Sequence, residues 1–198
     1  MDERDRARGI LKILKENYAL PSWASSRREP FQTLIRTVLS QATNDRNRDR
    51  AYKNLSEKYE ITPKVLAAAS VRKIEDAIRV GGLYRNKSQK IKELSKMVLE
   101  RFDGSLDFIY SEPLEKARSS LMSIPGVGPK TADVVLLLTA KKPTVPVDTH
   151  VNRVSRRLGL APLKGGYEEI RRRLESLYSS KDYLAVHLLL IILGRKNC

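Results

Sequence analysis

The sequence predicts an all-α protein. Apolar residues recur at three-to-four spacing in one segment after another. Ser, Thr, Asp, Asn or Pro stand where these segments begin, and Gly stands where several of them end. No apolar/polar alternation of period two runs long enough to argue for a sheet.

Taken in order, Asp5 to Asn17 carries Ile10, Leu11, Ile13 and Leu14 as an apolar stripe on a polar helix. Pro21 ends it, and SWASSRREP reads as a polar linker. Phe31 to Ser40 spaces Phe31, Leu34, Ile35, Val38 and Leu39 as a core helix. Asp45 is a candidate N-cap for the basic helix through Lys58; Thr62 and Ser70 are candidates for two short helices, the second running to Val80. Gly81 and Gly82 stop that one. Ser88 to Arg101 turns Ile91, Leu94, Val98 and Leu99 inward, and Asp103–Gly104 closes it. Pro113 to Ile124 is the next helix, and a further one starts at Pro129. Lys141 to Val147 holds two prolines and two valines, an extended connector rather than a strand in a sheet. Asp148 opens a helix to Leu158, and Tyr167 to Leu177 is a charged helix. Ser180 or Asp182 opens the last, apolar one through Leu193, with Gly194 after it.

Composition narrows the partner. The chain has 198 residues, enough for one domain or two small ones with a substantial core. Its 38 Lys+Arg against 23 Asp+Glu give a formal charge of +15, which points to a polyanion or, more plainly, to a basic soluble surface. One cysteine excludes an internal disulfide framework and suits a reducing cytosol. The longest apolar run, His187 to Leu193, is too short to span a membrane, and MDERDRARG is charged where a signal peptide would be apolar. A soluble, cytoplasmic protein is expected. There is no low-complexity segment or internal repeat.

The chain is organised around Leu121 to Leu138, LMSIPGVGPKTADVVLLL. Pro125 halts one helix, and Gly126 and Gly128 allow a sharp turn or a close approach to a ligand. The helix that starts at Pro129 then points free N–H groups outward, an arrangement that binds phosphate through amides and helix dipole. The same chemistry also makes a plain helix–turn–helix corner.

Four segments carry a resemblance: PFQTLIRTVLSQATND from Pro30 to Asp45, GGLYRNKSQKI from Gly81 to Ile91, LMSIPGVGPKTA from Leu121, and TVPVDTHVNRVSRRLGL from Thr144. In this order and spacing the chain resembles, over nearly its whole length, the helix-hairpin-helix (HhH-GPD) superfamily of DNA glycosylases, most closely an archaeal-like endonuclease III branch. The resemblance implies two helical lobes with a DNA-binding cleft between them. Residues 22–142 would form a central lobe with the hairpin, and 1–21 plus 143–198 a discontinuous second lobe. It implies a monomer that acts on damaged double-stranded DNA at the nucleoid, without a membrane.

The resemblance also assigns residues. Lys130 stands at the family's nucleophilic lysine and Asp148 at its catalytic aspartate; together they imply base release through a covalent imine, then β-elimination that nicks the strand. An attacking lysine must be neutral, and positive dipole density at a helix start favours that form. By position alone Lys130 reads as a phosphate contact or a solvated side chain, and Asp148 is an excellent N-cap. Leu83, beside Tyr84, falls at an apolar wedge that fills the gap left by an extruded base, or is a leucine packed under a loop. Gln41 falls at or next to the gap-filling glutamine. Arg85 and Lys87 read as phosphate contacts or as solvated charges. Gly126, Val127, Gly128 and Thr131 belong to the hairpin's backbone grip, and His150 is a weaker DNA-binding candidate.

One departure lies at the end. Gly194-Arg195-Lys196-Asn197-Cys198 matches the first ligand of the family's iron–sulfur cluster, and no further cysteine is present. One thiolate cannot hold a 4Fe–4S cluster, which takes four. The chain supports no cofactor unless the native protein continues past Cys198. The expected function is a bifunctional DNA glycosylase/AP lyase acting on oxidised pyrimidines. The alternatives are a non-catalytic helix-hairpin-helix binder and a glycosylase for mismatched or oxidised purine bases on the same scaffold.

Overall fold

The computed structural model describes residues 2–26 and 28–197, and none of these forms a strand. The helices are α1 (Glu3–Asn17), α2 (Pro30–Leu39), α3 (Asp45–Lys58), α4 (Pro63–Ala68), α5 (Val71–Ile78) and α6 (Tyr84–Arg101). They continue as α7 (Phe108–Ser111), α8 (Leu114–Met122), α9 (Pro129–Ala140), α10 (Thr149–Arg157), α11 (Tyr167–Leu177) and α12 (Tyr183–Lys196). The all-α expectation holds. Among the described residues no single helix is long and apolar enough to cross a membrane.

The chain divides into two compact units, one of Met1–Arg27 with Leu136–Cys198 and one of Arg28–Val135. In the first, α1 packs on α11 and α12, and α10 packs on α12. Its core joins Leu11 and Leu14 to Val151, Val154, Ile170, Leu174, Val186 and Leu189. In the second, α6 lies against α2, α4 and α5, and α3 lies against α2 and α5. Leu34, Ile35, Leu55, Leu66, Ile74, Ile91 and Leu94 are fully buried in this unit.

Several local expectations need correction. The buried stripe of α1 is Ala7, Leu11 and Leu14, spaced four and three apart, so Ile13 falls on the other face and is 60% exposed. Leu99 is likewise 40% exposed, next to the inward Val98. Asn44, not Asp45, caps α3: its side chain accepts the Asn47 N–H at 2.9 Å, while Asp45 pairs with Arg48 at 2.7 Å. Ser70 makes no capping bond, whereas Thr62 accepts the Val65 N–H at 3.4 Å. The expected linker holds a 3-10 turn, Ser22–Ser25, and ends in Glu29, whose carboxylate caps α2 by accepting the Phe31 and Gln32 amides. Helix α12 does not stop at Gly194 but runs through it. A Cβ there would lie 3.0 Å from Val154 Cγ2 and 3.1 Å from the His150 Cβ. This glycine serves close helix contact, not termination.

Candidate nucleic-acid interface and catalytic residues

The hairpin is built by α8, a tight turn and α9. Ile124 donates to the Leu121 carbonyl at 3.1 Å, Val127 to Ile124 at 3.1 Å, and Ala132 to Gly128 at 3.0 Å. Gly126 takes φ +78°, which an L side chain adopts only with strain. Gly128 has no positive φ, and a Cβ on it would meet nothing within 4 Å. Neither conformation nor packing therefore requires glycine at 128; what remains is room for something outside the chain. Among the described residues neither Gly126 nor Gly128 spends its N–H on another group. Val127 differs. Its side chain is buried and its N–H is used inside the turn, so it offers no donor to a ligand, against its assignment from the sequence. Thr131 is also buried, which leaves its hydroxyl away from the surface. Lys130 is half-buried at the second position of α9.

A charge pair lies under the hairpin that spacing did not reveal. Arg118 on α8 donates from Nε to Asp133 on α9 at 2.8 Å, with Asp133 fully buried. Their meeting across the turn has no signature in sequence spacing.

The loop before α6 presents Leu83. This residue is 58% exposed and sits at φ +48°, after Gly82 at φ +66°. The packed alternative is thereby excluded: a large apolar side chain is held outward on strained backbone. Tyr84 follows, half-buried, with the Arg79 guanidinium 5.2 Å and the Arg85 guanidinium 5.9 Å from its ring centre. Arg85 is exposed and free to face a polyanion. Lys87 is not. It is 2% exposed, and its Nζ donates to the carbonyls of Leu39 at 2.9 Å and Gly81 at 2.8 Å, so it is no phosphate contact. Burial lowers its pKa from the ordinary lysine value, and the Lys90 charge adds to that. Gln41 is half-buried and accepts a long hydrogen bond of 3.4 Å from Lys90.

Asp148 caps α10 by accepting the Val151 N–H at 2.7 Å. The connector before it is bolted at three consecutive residues. Glu175 accepts the Val145 N–H at 3.0 Å, His187 meets the Pro146 carbonyl at 2.9 Å, and the Tyr167 hydroxyl accepts the Val147 N–H at 3.4 Å. These three positioning groups escaped sequence reasoning because α11 and α12 supply them from far along the chain. His150 is half-buried; Arg153 reaches both its Nδ1 at 3.2 Å and the Gly194 carbonyl at 3.0 Å. Its ring serves packing of α10 on α12. Cys198 lies outside the described residues. Among the described residues no three His, Cys, Asp or Glu side chains gather to hold a metal ion, and the sequence has one cysteine. The residues of this chain do not by themselves make up a four-thiolate site.

Comparison with known proteins gives this geometry its context. The family profile of HhH-GPD superfamily base excision DNA repair proteins matches residues 35–180. Endonuclease III of Thermotoga maritima is 36% identical over 192 residues, spanning 97% of this chain and 82% of that protein. Endonuclease III of Sulfolobus acidocaldarius is 38% identical over 188 residues, spanning 94% and 82%. Among solved structures, a trapped endonuclease III–DNA covalent intermediate superposes with a TM-score of 0.86 at 33% identity, covering 100% of this chain and 89% of that one.

Proposed function

The chain belongs to the HhH-GPD superfamily of base excision DNA repair proteins, and we propose how its residues carry out that work. It is a base-excision-repair DNA glycosylase with AP lyase activity that removes oxidised pyrimidines. The neutral amine of Lys130 attacks C1′ of the damaged nucleotide, and the base leaves with the electron pair of the glycosidic bond and the proton that the attacking amine gives up. The sugar opens to an imine on Lys130. Loss of a proton from C2′ then expels the 3′ phosphate, and water releases the nicked strand. The Asp148 carboxylate, fixed by the amide it caps, stabilises positive charge developing on the sugar.

The remaining residues open and grip the duplex. Leu83 wedges into the stack and Gln41 occupies the space of the extruded base. Gly126 and Gly128 hold a phosphate through their amides, with Arg85 as a second backbone contact. The protein works as a monomer on double-stranded DNA. A native chain continuing past Cys198 into further cysteines would make that residue the first of four cluster ligands.

The observation that carries this reading is Lys130 at the second position of the hairpin's second helix, two residues after the exposed Gly128, in a chain so similar to endonuclease III. The test is borohydride trapping on duplexes with thymine glycol, 8-oxoguanine, uracil or an abasic site. Wild type should trap on thymine glycol and on the abasic site. Lys130→Gln should trap on neither while still binding both duplexes. A trapped adduct in Lys130→Gln would make another amine the nucleophile; no adduct with wild type would leave a DNA-binding module.

A further inference from the structure

Lys87 and Lys90 lie three residues apart on α6, a spacing that stacks side chains on one helix face. A lysine is almost never fully buried without partners, because its charge loses hydration. Lys87 finds two, and their places are informative. The Leu39 carbonyl ends α2, just before Gln41 and Ala42; the Gly81 carbonyl just precedes Gly82 and Leu83. Each segment holds a non-glycine residue in the left-handed region: Ala42 in one and Leu83 in the other, both at φ +48°. Such backbone persists only where its surroundings over-determine it. The two segments also meet directly, since a Cβ on Gly82 would lie 3.8 Å from the Ala42 carbonyl oxygen.

Lys90 adds the third segment. Its Nζ reaches the Gln41 side chain at 3.4 Å, and its methylenes lie 3.3 to 3.7 Å from where a Gly126 Cβ would stand. One face of α6 thus ties together the Gln41 loop, the Leu83 loop and the hairpin turn. We propose that Lys87 and Lys90 are positioning residues for duplex opening, a bracket that holds Gln41 and Leu83 in register with each other and with the hairpin's phosphate grip. This rests on the proposed roles of Gln41, Leu83 and the hairpin. Neither lysine touches the reacting atoms. Their effect falls on the opening of paired DNA, while an abasic site has no base to extrude.

The experiment reads opening apart from chemistry. Unstacking of 2-aminopurine in an intact duplex is followed by fluorescence on binding, beside single-turnover excision of paired thymine glycol and nicking at a preformed abasic site. Lys90→Met keeps the methylenes on Gly126 but loses the bond to Gln41. It should lower unstacking and excision about two- to tenfold, the scale of one hydrogen bond, and leave abasic nicking within about twofold. Lys90→Arg should restore both. In a Gln41→Ala background Lys90→Met should have no further effect, because the partner it serves is gone. Lys87→Met should show the same split with a larger loss; if it does not fold, the Lys90 series decides alone. The bracket is overturned if Lys90→Met opens and excises as wild type does, if abasic nicking falls equally, or if the Lys90 and Gln41 effects add. A wild-type protein that leaves the 2-aminopurine stacked overturns it too. Failure of wild type to nick the abasic site overturns the functional reading instead, and the fluorescence series still judges the bracket.

Discussion

The Nδ1–H of His187 donates to the Pro146 carbonyl at 2.9 Å, two residues before Asp148. A carbonyl can only accept, so the bond fixes the proton on Nδ1. With Glu175 on the Val145 amide and Tyr167 on the Val147 amide, it holds the approach to Asp148 rigid. Removing one bolt should therefore shift a carboxylate that the variant never touches. His187→Leu should slow single-turnover base release by about tenfold or more, since a misplacement near 1 Å can cost roughly 100-fold. It should also cost about 1–3 kcal/mol of stability through the orphaned carbonyl. Duplex affinity should stay as in wild type. Kinetics at saturating protein, well below the melting temperature, separate the two effects; an unchanged rate constant would make the bond purely structural.

The two hairpin glycines should part company. Gly128→Ala adds a methyl to open space at an ordinary φ, so its melting curve should match wild type within about 0.5 kcal/mol. Its affinity for duplex DNA should nevertheless fall, because the methyl stands where a phosphate must approach. Gly126→Ala forces an L residue to φ +78° and should lose about 1–2 kcal/mol of stability. Thermal melts and fluorescence titrations on the same preparations check both. Loss of stability in Gly128→Ala would mean that its glycine serves folding.

Much of this was legible in the sequence, and the limits have physical causes. Helices announce themselves by local periodicity, so the core stripes of α2 and α6 could be read, as could the Asp148 cap. What stayed hidden depends on distant partners. Lys87 in isolation is a surface charge; only the two carbonyls converging on it make burial tolerable. The start of α6 at Tyr84, four residues before Ser88, was masked because Tyr84 to Lys87 carries no apolar period. The joining of α1 to α11 and α12 likewise has no local signature.

Leu83→Gly should gain stability and lose function. Relief of the φ +48° backbone is worth about 1–2 kcal/mol, and the entropy of a more flexible unfolded chain offsets part of it. A net gain up to about 1 kcal/mol is expected from urea titration. Excision of a paired damaged base should fall, while nicking at a preformed abasic site persists. A destabilised Leu83→Gly would show that the exposed leucine contributes packing after all.

Tyr178 makes stability depend on alkaline pH. Burial pushes its phenol up to about 12, with Arg6 opposing in part. The unfolded phenol ionises near about 10. The folded state thus keeps its full contribution below that value and loses it as pH climbs from about 10 towards 12, because only the unfolded form then gains from deprotonation. The loss is about 3 kcal/mol, of the order that two pKa units represent. Tyr178→Phe lacks the titrating group. The gap between its urea midpoint and that of wild type should therefore shift in its favour between pH about 9 and about 11.5. A gap that stays constant would rule out Tyr178 as the source of the alkaline transition.

Asp148 allows the cap and the chemistry to be told apart at a single position. Its carboxylate accepts the Val151 amide at 2.7 Å, a bond that an asparagine side-chain oxygen can make as well. Asp148→Asn should therefore melt within about 0.5 kcal/mol of wild type, whereas Asp148→Ala should lose about 1 kcal/mol with the cap. The neutral amide cannot stabilise positive charge on the sugar. Both variants should slow base release from thymine glycol by about 100-fold or more, the scale on which positioned electrostatic groups act. Borohydride trapping on a preformed abasic site should suffer less in either variant, since the base has already left. If Asp148→Asn releases base at the wild-type rate while Asp148→Ala does not, the side chain contributes geometry through its cap and no charge. The catalytic assignment would then fail at this residue, and Lys130 would need another anionic partner.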